Sequence, residues 1–137
     1  MAYVSIPTYS RSTPQRYALI GAKCKSCGWI NLPRGVNCLK CGRILQYEPV
    51  KLSGEGKIYS FTTISRGGSP PEFSIQQNLA GAYPVAVVEL EEGSKIVAQM
   101  TDCKAEQLQI GLAVESTFRR IYEDDDIIRY GMKFRPA

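Results

Sequence analysis

Two cysteine pairs, Cys24-x2-Cys27 and Cys38-x2-Cys41, stand ten residues apart and constrain this chain more than anything else in it. Each pair sets two thiolates on one tight turn. Two such turns facing each other close a tetrahedron. A glycine follows each pair, Gly28 and Gly42, where a positive φ lets backbone N–H groups turn toward the sulfurs. All four positions of the tetrahedron are taken by protein, so the expected metal is structural. Zinc is the expected ion. Iron, as in a rubredoxin-like electron carrier, is the rival that the same thiolates would suit. Disulfides fit less well, because no secretory signal is visible at the N-terminus and the default location is cytoplasmic.

The chain has no histidine, which removes Ser-His-Asp triads, Cys-His dyads and imidazole-ligated metal sites. A lone fifth cysteine, Cys103, therefore reads as a small buried hydrophobe and not as a nucleophile. The net charge of +4 favours anionic partners but is too small to name one. No apolar run approaches a membrane span. The acidic run Glu123 to Asp126 lacks the glycine and glutamate of a calcium loop and reads as a hairpin tip.

The chain divides into an N-terminal arm and short helix over 1–21, a metal ribbon over 22–47 and a β domain over 48–137. Thr13-Pro14 gives a helix start that would carry Arg16 and Tyr17 and stop at Gly21, behind an extended arm over 1–10. The ribbon is too small for a core of its own, so a metal would supply most of its folding energy, with Trp29 read as its small apolar centre or, alternatively, with Phe73, as cover between ribbon and barrel. Alternation then gives strands over Lys57–Ile64, Tyr83–Glu91, Lys95–Met100, Leu112–Tyr122 and Ile127–Phe134. A long loop runs from Ser65 to Ala82. A helical stretch capped by Asp102 is expected over Lys104–Gln109. Ile96, Ala98, Met100, Ile128, Tyr130, Met132 and Phe134 are the expected inward side chains. Five strands with a helix between the third and fourth is the order of an OB-fold barrel. The expected fold class is thus mostly β: a short helix, a rubredoxin-like zinc ribbon and a five-stranded OB barrel.

Arg16-Tyr17, Gly21-Ala22-Lys23-Cys24-Lys25-Ser26-Cys27-Gly28, Leu32-Pro33-Arg34, Cys38-Leu39-Lys40-Cys41-Gly42, Ser53 to Thr62 and Tyr83 to Val88 together resemble the acyl-CoA-associated zinc-ribbon/OB-fold family. That family was long held as a domain of unknown function. The resemblance runs from about Arg11 to Phe134. It departs at Leu32, where the family often has a second proline, and at Leu39, where it often has a proline after the third cysteine. Members accompany thiolases and 3-hydroxy-3-methylglutaryl-CoA synthase. The resemblance implies a non-catalytic scaffold subunit that binds coenzyme A or acyl-CoA and associates with a thiolase-like or other acyl-CoA enzyme.

Such a binder needs Arg or Lys for phosphate beside an apolar groove. The candidates are Arg16, Arg34 and the loop Arg66, Gly67, Gly68, whose glycines would let N–H groups approach an anion. Each arginine also has the plainer reading of a solvated surface cation. Trp29 and Phe73 also read as cover for a partner enzyme's tunnel. The alternative function is nucleic-acid binding, which ribbons and OB barrels both perform. Tyr59, Phe61, Tyr122, Tyr130 and Phe134 on candidate strands, with Lys57, Arg119, Arg120, Arg129 and Lys133 nearby, would serve it. The short helix must dock either on the main domain or on a second copy, so a homodimer stays open.

Overall fold

A computed structural model of the protein describes residues 6–65, 67, 68, 70, 73–124 and 126–137. The chain opens with α1 (Ile6–Ala18), which holds Pro14 in its interior. The helix therefore starts well before Thr13. Pro7 stands in its first turn, where a missing N–H costs nothing, and this was the start signal that counted. Of the expected extended arm, residues 6–10 are helical and residues 1–5 lie outside the described residues. The helix ends at Ala18 and not at Gly21, because Leu19 takes a φ of 50° and turns its side chain into the core.

Gly21 instead lies within β1 (Ile20–Cys24). A Cβ there would sit 2.6 Å from Ile30 Cγ2, so glycine is needed for close approach and not for a helix stop. β1 is the middle of a three-stranded antiparallel sheet, with β2 (Ile30–Asn31) on one side and β3 (Tyr47–Lys51) on the other.

The second sheet has the order β6-β5-β4-β7-β8. Its strands are β4 (Glu55–Ile64), β5 (Tyr83–Leu90), β6 (Lys95–Gln99), β7 (Ala113–Asp124) and β8 (Ile127–Pro136). All its pairings are antiparallel. The sheet curls until its first and last strands meet through a parallel bridge between Met100 and Phe134, with Thr101 N–H donating to the Phe134 carbonyl at 2.8 Å. Register shifts between Ile58 and Ser60, and between Arg120 and Tyr122, supply the bends that closure demands. At Gly56 a Cβ would lie 2.4 Å from the Glu89 carbonyl oxygen, so the tightest turn of the wall admits no side chain. The protein is mostly β, with a cysteine ribbon ahead of a nearly closed five-stranded barrel, as the sequence led us to expect.

Three local expectations fail. The stretch Ser65 to Ala82 contains a helix, α2 (Ser74–Ala80), and is not all loop. Its Ile-x3-Leu spacing, Ile75 and Leu79, is one helical turn and was masked by the neighbouring glycines and prolines. The expected helix over Lys104–Gln109 is only a 3-10 turn over Ala105–Gln107, closed by the Lys104 N–H donating to Gln107 Oε1 at 2.7 Å. Asp102 does not cap it, because its carboxylate is taken by Arg119 and Arg135 at 3.1 and 3.7 Å. Finally, Ile128 and Tyr130 are about two-fifths exposed, whereas Met100 and Phe134 are buried and Ile96, Ala98 and Met132 pack against the core. The inward alternation along β8 outruns the barrel that it lines.

One core serves the whole molecule. Ile58, Val88, Leu90, Val114 and Phe134 of the barrel are joined in it by Leu19 from the end of α1, Leu32 from the ribbon and Leu52 from the connection between the sheets. Ser94, buried in the β5–β6 turn, donates its hydroxyl to the Ile30 carbonyl at 2.5 Å and ties barrel to ribbon.

Candidate metal centre and ligand grooves

The two cysteine turns are near copies. Gly28 N–H donates to the Cys24 carbonyl at 2.9 Å and Gly42 N–H to the Cys38 carbonyl at 3.0 Å. Cys24 N–H donates to the Trp29 carbonyl at 2.8 Å and Cys38 N–H to the Arg43 carbonyl at 2.9 Å. The glycines take φ values of 77° and 73°, as the spacing predicted. This repeated wiring brings the four sulfurs of Cys24, Cys27, Cys38 and Cys41 within 4.8 Å of one another. Cys24 and Cys41 are 3.9 Å apart and Cys27 and Cys38 are 3.6 Å apart. A tetrahedron of thiolates at a metal–sulfur distance of about 2.3 Å has edges of about 3.8 Å, which the two short sulfur pairs match.

The surroundings favour charged sulfur at Cys24 and Cys38 and oppose it at Cys27. The backbone N–H of Cys41 leads in holding the Cys38 thiol down to about 6, against burial and with help from the Asn31 amide. The backbone N–H of Cys27, with that of Ser26, lowers Cys24 against the same opposition. At Cys27 the Trp29 N–H favours the thiolate, but burial and the three neighbouring sulfurs together prevail and push the thiol up to about 11. A divalent cation among sulfurs so crowded would relieve their mutual repulsion.

Asn31 is the residue that sequence reasoning missed. It is 0% exposed. Its Oδ1 accepts from the Leu39 N–H at 2.8 Å, and its Nδ2 donates to the Ala22 and Trp29 carbonyls and the Cys38 sulfur at 3.4, 3.4 and 3.5 Å. One amide thus pins both turns. The only hint in the sequence was a polar residue between Ile30 and Leu32. Trp29 is half-buried, lies under the Lys40 ammonium at 5.3 Å and faces Gly93 of the barrel, so it bridges the two sheets and is not the ribbon's private core.

Two grooves flank α1. One, of about 370 Å³, runs between the helix and the ribbon sheet along Arg11, Gln15, Ile20, Pro33, Arg34 and Tyr47. The Arg34 guanidinium lies over the Tyr47 ring at 4.9 Å and hydrogen-bonds the phenol of that residue. The other, of about 270 Å³, runs between the helix and the barrel along Arg16, Leu19, Ile96, Arg129 and Met132. Arg16 and Arg34 therefore line different grooves, which adjoin at Ser12 and Gln15 of the helix. Gly67 and Gly68 line neither. Arg66 lies outside the described residues.

Beside the second groove, Phe118 and Tyr130 stack at 5.6 Å, with Tyr17 edge-on to Phe118 at 5.7 Å. All three are more than a third exposed. Of the aromatics picked out from the sequence, Tyr130 joins this cluster, Phe134 is wholly buried, and Tyr122 packs on Phe73 at 5.4 Å. Cys103 packs against the core, and burial, then the Asp102 charge, pushes its thiol up.

The profile of the ChsH2 C-terminal OB-fold domain matches residues 49–119. A "DUF35 domain-containing scaffold protein" of Methanocaldococcus jannaschii is 44% identical over 92% of this chain and 86% of its own length. A "Benzoylsuccinyl-CoA thiolase subunit BbsA" of Geobacter metallireducens is 33% identical over 84% of this chain and 73% of its own. The solved structure of an "Ltp2-ChsH2(DUF35) aldolase" superposes with a TM-score of 0.68 over 99% of this chain and 98% of that one, at 23% identity, and shares the fold.

Proposed function

We propose, from the premise that this chain belongs to the family of DUF35 domain-containing scaffold proteins, that it is a non-catalytic acyl-CoA-binding subunit of a thiolase-like or other acyl-CoA enzyme. The observation that carries this reading is the similarity, over most of both chains, to a thiolase subunit. The metal is zinc, held by Cys24, Cys27, Cys38 and Cys41 in a structural role. We take its parts as an arm and helix over 1–21, a ribbon over 22–47 and a barrel over 48–137, with β1 and β3 of the ribbon sheet running across the two divisions, and its place of work as the cytoplasm.

The chemistry of the chain supports an accessory role. It has no histidine, the thiols of Cys24, Cys27, Cys38 and Cys41 are committed to one cluster, and the thiol of Cys103 outside it is pushed up. The groove between α1 and the ribbon suits a thin pantetheine arm. It has an apolar floor at Ile20 and Pro33, with Arg11 and Arg34 at hand for phosphate. Arg16 serves from the second groove, which adjoins the first at Ser12 and Gln15, if the ligand extends across those two residues. Purification of the tagged protein from its native cell tests the reading: a CoA-thioester enzyme should accompany it, and calorimetry with acetyl-CoA should show binding that Arg34→Ala weakens. Absence of both would sink it.

The exposed Tyr17, Phe118 and Tyr130 favour a second reading, single-stranded nucleic acid, since stacked aromatics on an OB barrel are a platform for bases. Titration with an oligonucleotide at rising salt decides it: a steep fall in affinity supports nucleic acid, and no binding at low salt removes it.

A further inference from the structure

The excess positive charge of this chain lies in its first third, and the ribbon carries most of it. Residues 22–47 hold Lys23, Lys25, Arg34, Lys40 and Arg43 and no Asp or Glu, which leaves 12 cations against 13 carboxylates everywhere else. Four thiolates around a divalent cation leave the ribbon still net positive. At its tip the second cysteine turn also carries three bare aliphatic side chains. Val36, Leu39 and Ile44 are 79%, 74% and 76% exposed. Single exposed aliphatics are ordinary, but three on one turn beside Lys40 and Arg43 are not.

The turn is also held still. Leu39 N–H is fixed by Asn31 Oδ1 at 2.8 Å, Leu45 N–H by the Val36 carbonyl at 2.8 Å, and Asn37 bridges Ile44. Side chains presented on so braced a turn lose little freedom on contact, which favours a docking site. Nucleic acid is the poorer fit. The ribbon's aromatics, Trp29 and Tyr47, already lie under Lys40 and Arg34. Bases gain little from aliphatic tips.

We propose that Val36, Leu39 and Ile44 form the plug by which this chain docks on its partner enzyme, into an apolar pocket rimmed by Asp and Glu side chains. The proposal rests on the scaffold reading above and adds the surface and the partner chemistry to it. The aliphatic tips supply the desolvated centre of the contact, and Lys40 and Arg43 meet the acidic rim.

The test compares tagged full-length wild type, Leu39→Asp with Ile44→Asp, and Ile110→Asp, expressed in the native cell. Ile110 is an equally bare aliphatic on the barrel, 73% exposed. Zinc content and melting temperature establish that the tip variant folds. Expected is recovery of one identified CoA-thioester enzyme by wild type and Ile110→Asp, and loss of about tenfold or more by the tip variant. Equal recovery by all three overturns the docking surface and leaves the scaffold reading standing. No such enzyme with any of them overturns both. A wild-type dimer in sedimentation that the tip variant turns to monomer, with enzyme recovery unchanged, assigns the plug to a second copy and overturns the proposal. So does a tip variant that loses oligonucleotide binding instead.

Discussion

Asn31 offers neither charge nor nucleophile, yet it determines whether the four sulfurs meet. Its amide satisfies a backbone donor on one cysteine turn and backbone acceptors on the other. Replacing it leaves the Leu39 N–H without a partner beside the metal site. Asn31→Ala should therefore cost about 1–3 kcal/mol of stability and lower the cluster's metal affinity, readable in urea melts and chelator competition. The ligands themselves were legible from spacing, because the geometry of a tight turn is written in four residues. Asn31 was not, because its role depends on contacts made across eight or nine positions. Lys133 is a second residue whose state only the structure gives. It is 7% exposed, and burial, then Arg120 and Arg119, lowers its pKa from the ordinary lysine value. In the folded state its charge is thus disfavoured. The unfolded chain binds the extra proton between the lowered pKa and about 10.5, so wild-type stability rises with pH across that window. Lys133→Met should raise the urea midpoint at neutral pH, and the gain should shrink as pH climbs toward that upper limit.

Elements followed the sequence where one local signal stood alone and departed where two competed. The barrel strands came through almost to the residue, since alternation has no rival in a chain of Tyr, Val, Ile and Thr. At α1 two prolines competed, and packing against Gly131 of β8, where a Cβ would lie 3.0 Å from Arg16 Cγ, helped the helix run through Pro14. Asp102 looked like a cap and is a latch. Its carboxylate joins Arg119 of β7 to Arg135 of β8 just past the bridge that closes the barrel. Burial opposes its charge, but Arg119 and then Arg135 hold its pKa below the ordinary carboxylate value of 3.8. Its contribution is therefore complete above that value and is lost as pH falls through the lowered one. Wild type should lose its advantage over Asp102→Asn in acid melts at low pH and keep it at neutral pH. The ribbon sheet carries the cysteine cluster that could hold a metal ion. Chelation should lower amide protection most in β1, β2 and β3 and also weaken it in β4, β5 and β7 through the shared core, as hydrogen exchange would record.

Across the whole molecule, the division read from the sequence as three parts is crossed by one core. Leu32 lies in the ribbon and is 4% exposed among barrel side chains. Leu32→Ala should cost about 2–5 kcal/mol and move ribbon and barrel signals together in one thermal transition. Two separated transitions would show that the shared core does not couple them. Nothing in the order of residues announced this, because a leucine before Pro33 reads as a turn residue until the barrel is folded beneath it. The same leucine, with the Ser94 hydroxyl on the Ile30 carbonyl, has a consequence for assembly. A scaffold made of beads on a string lets its clients drift and meet by chance. This one is a bracket with a welded corner: a client seated on the cysteine turns and another seated on the barrel would face each other at an angle set within a single chain.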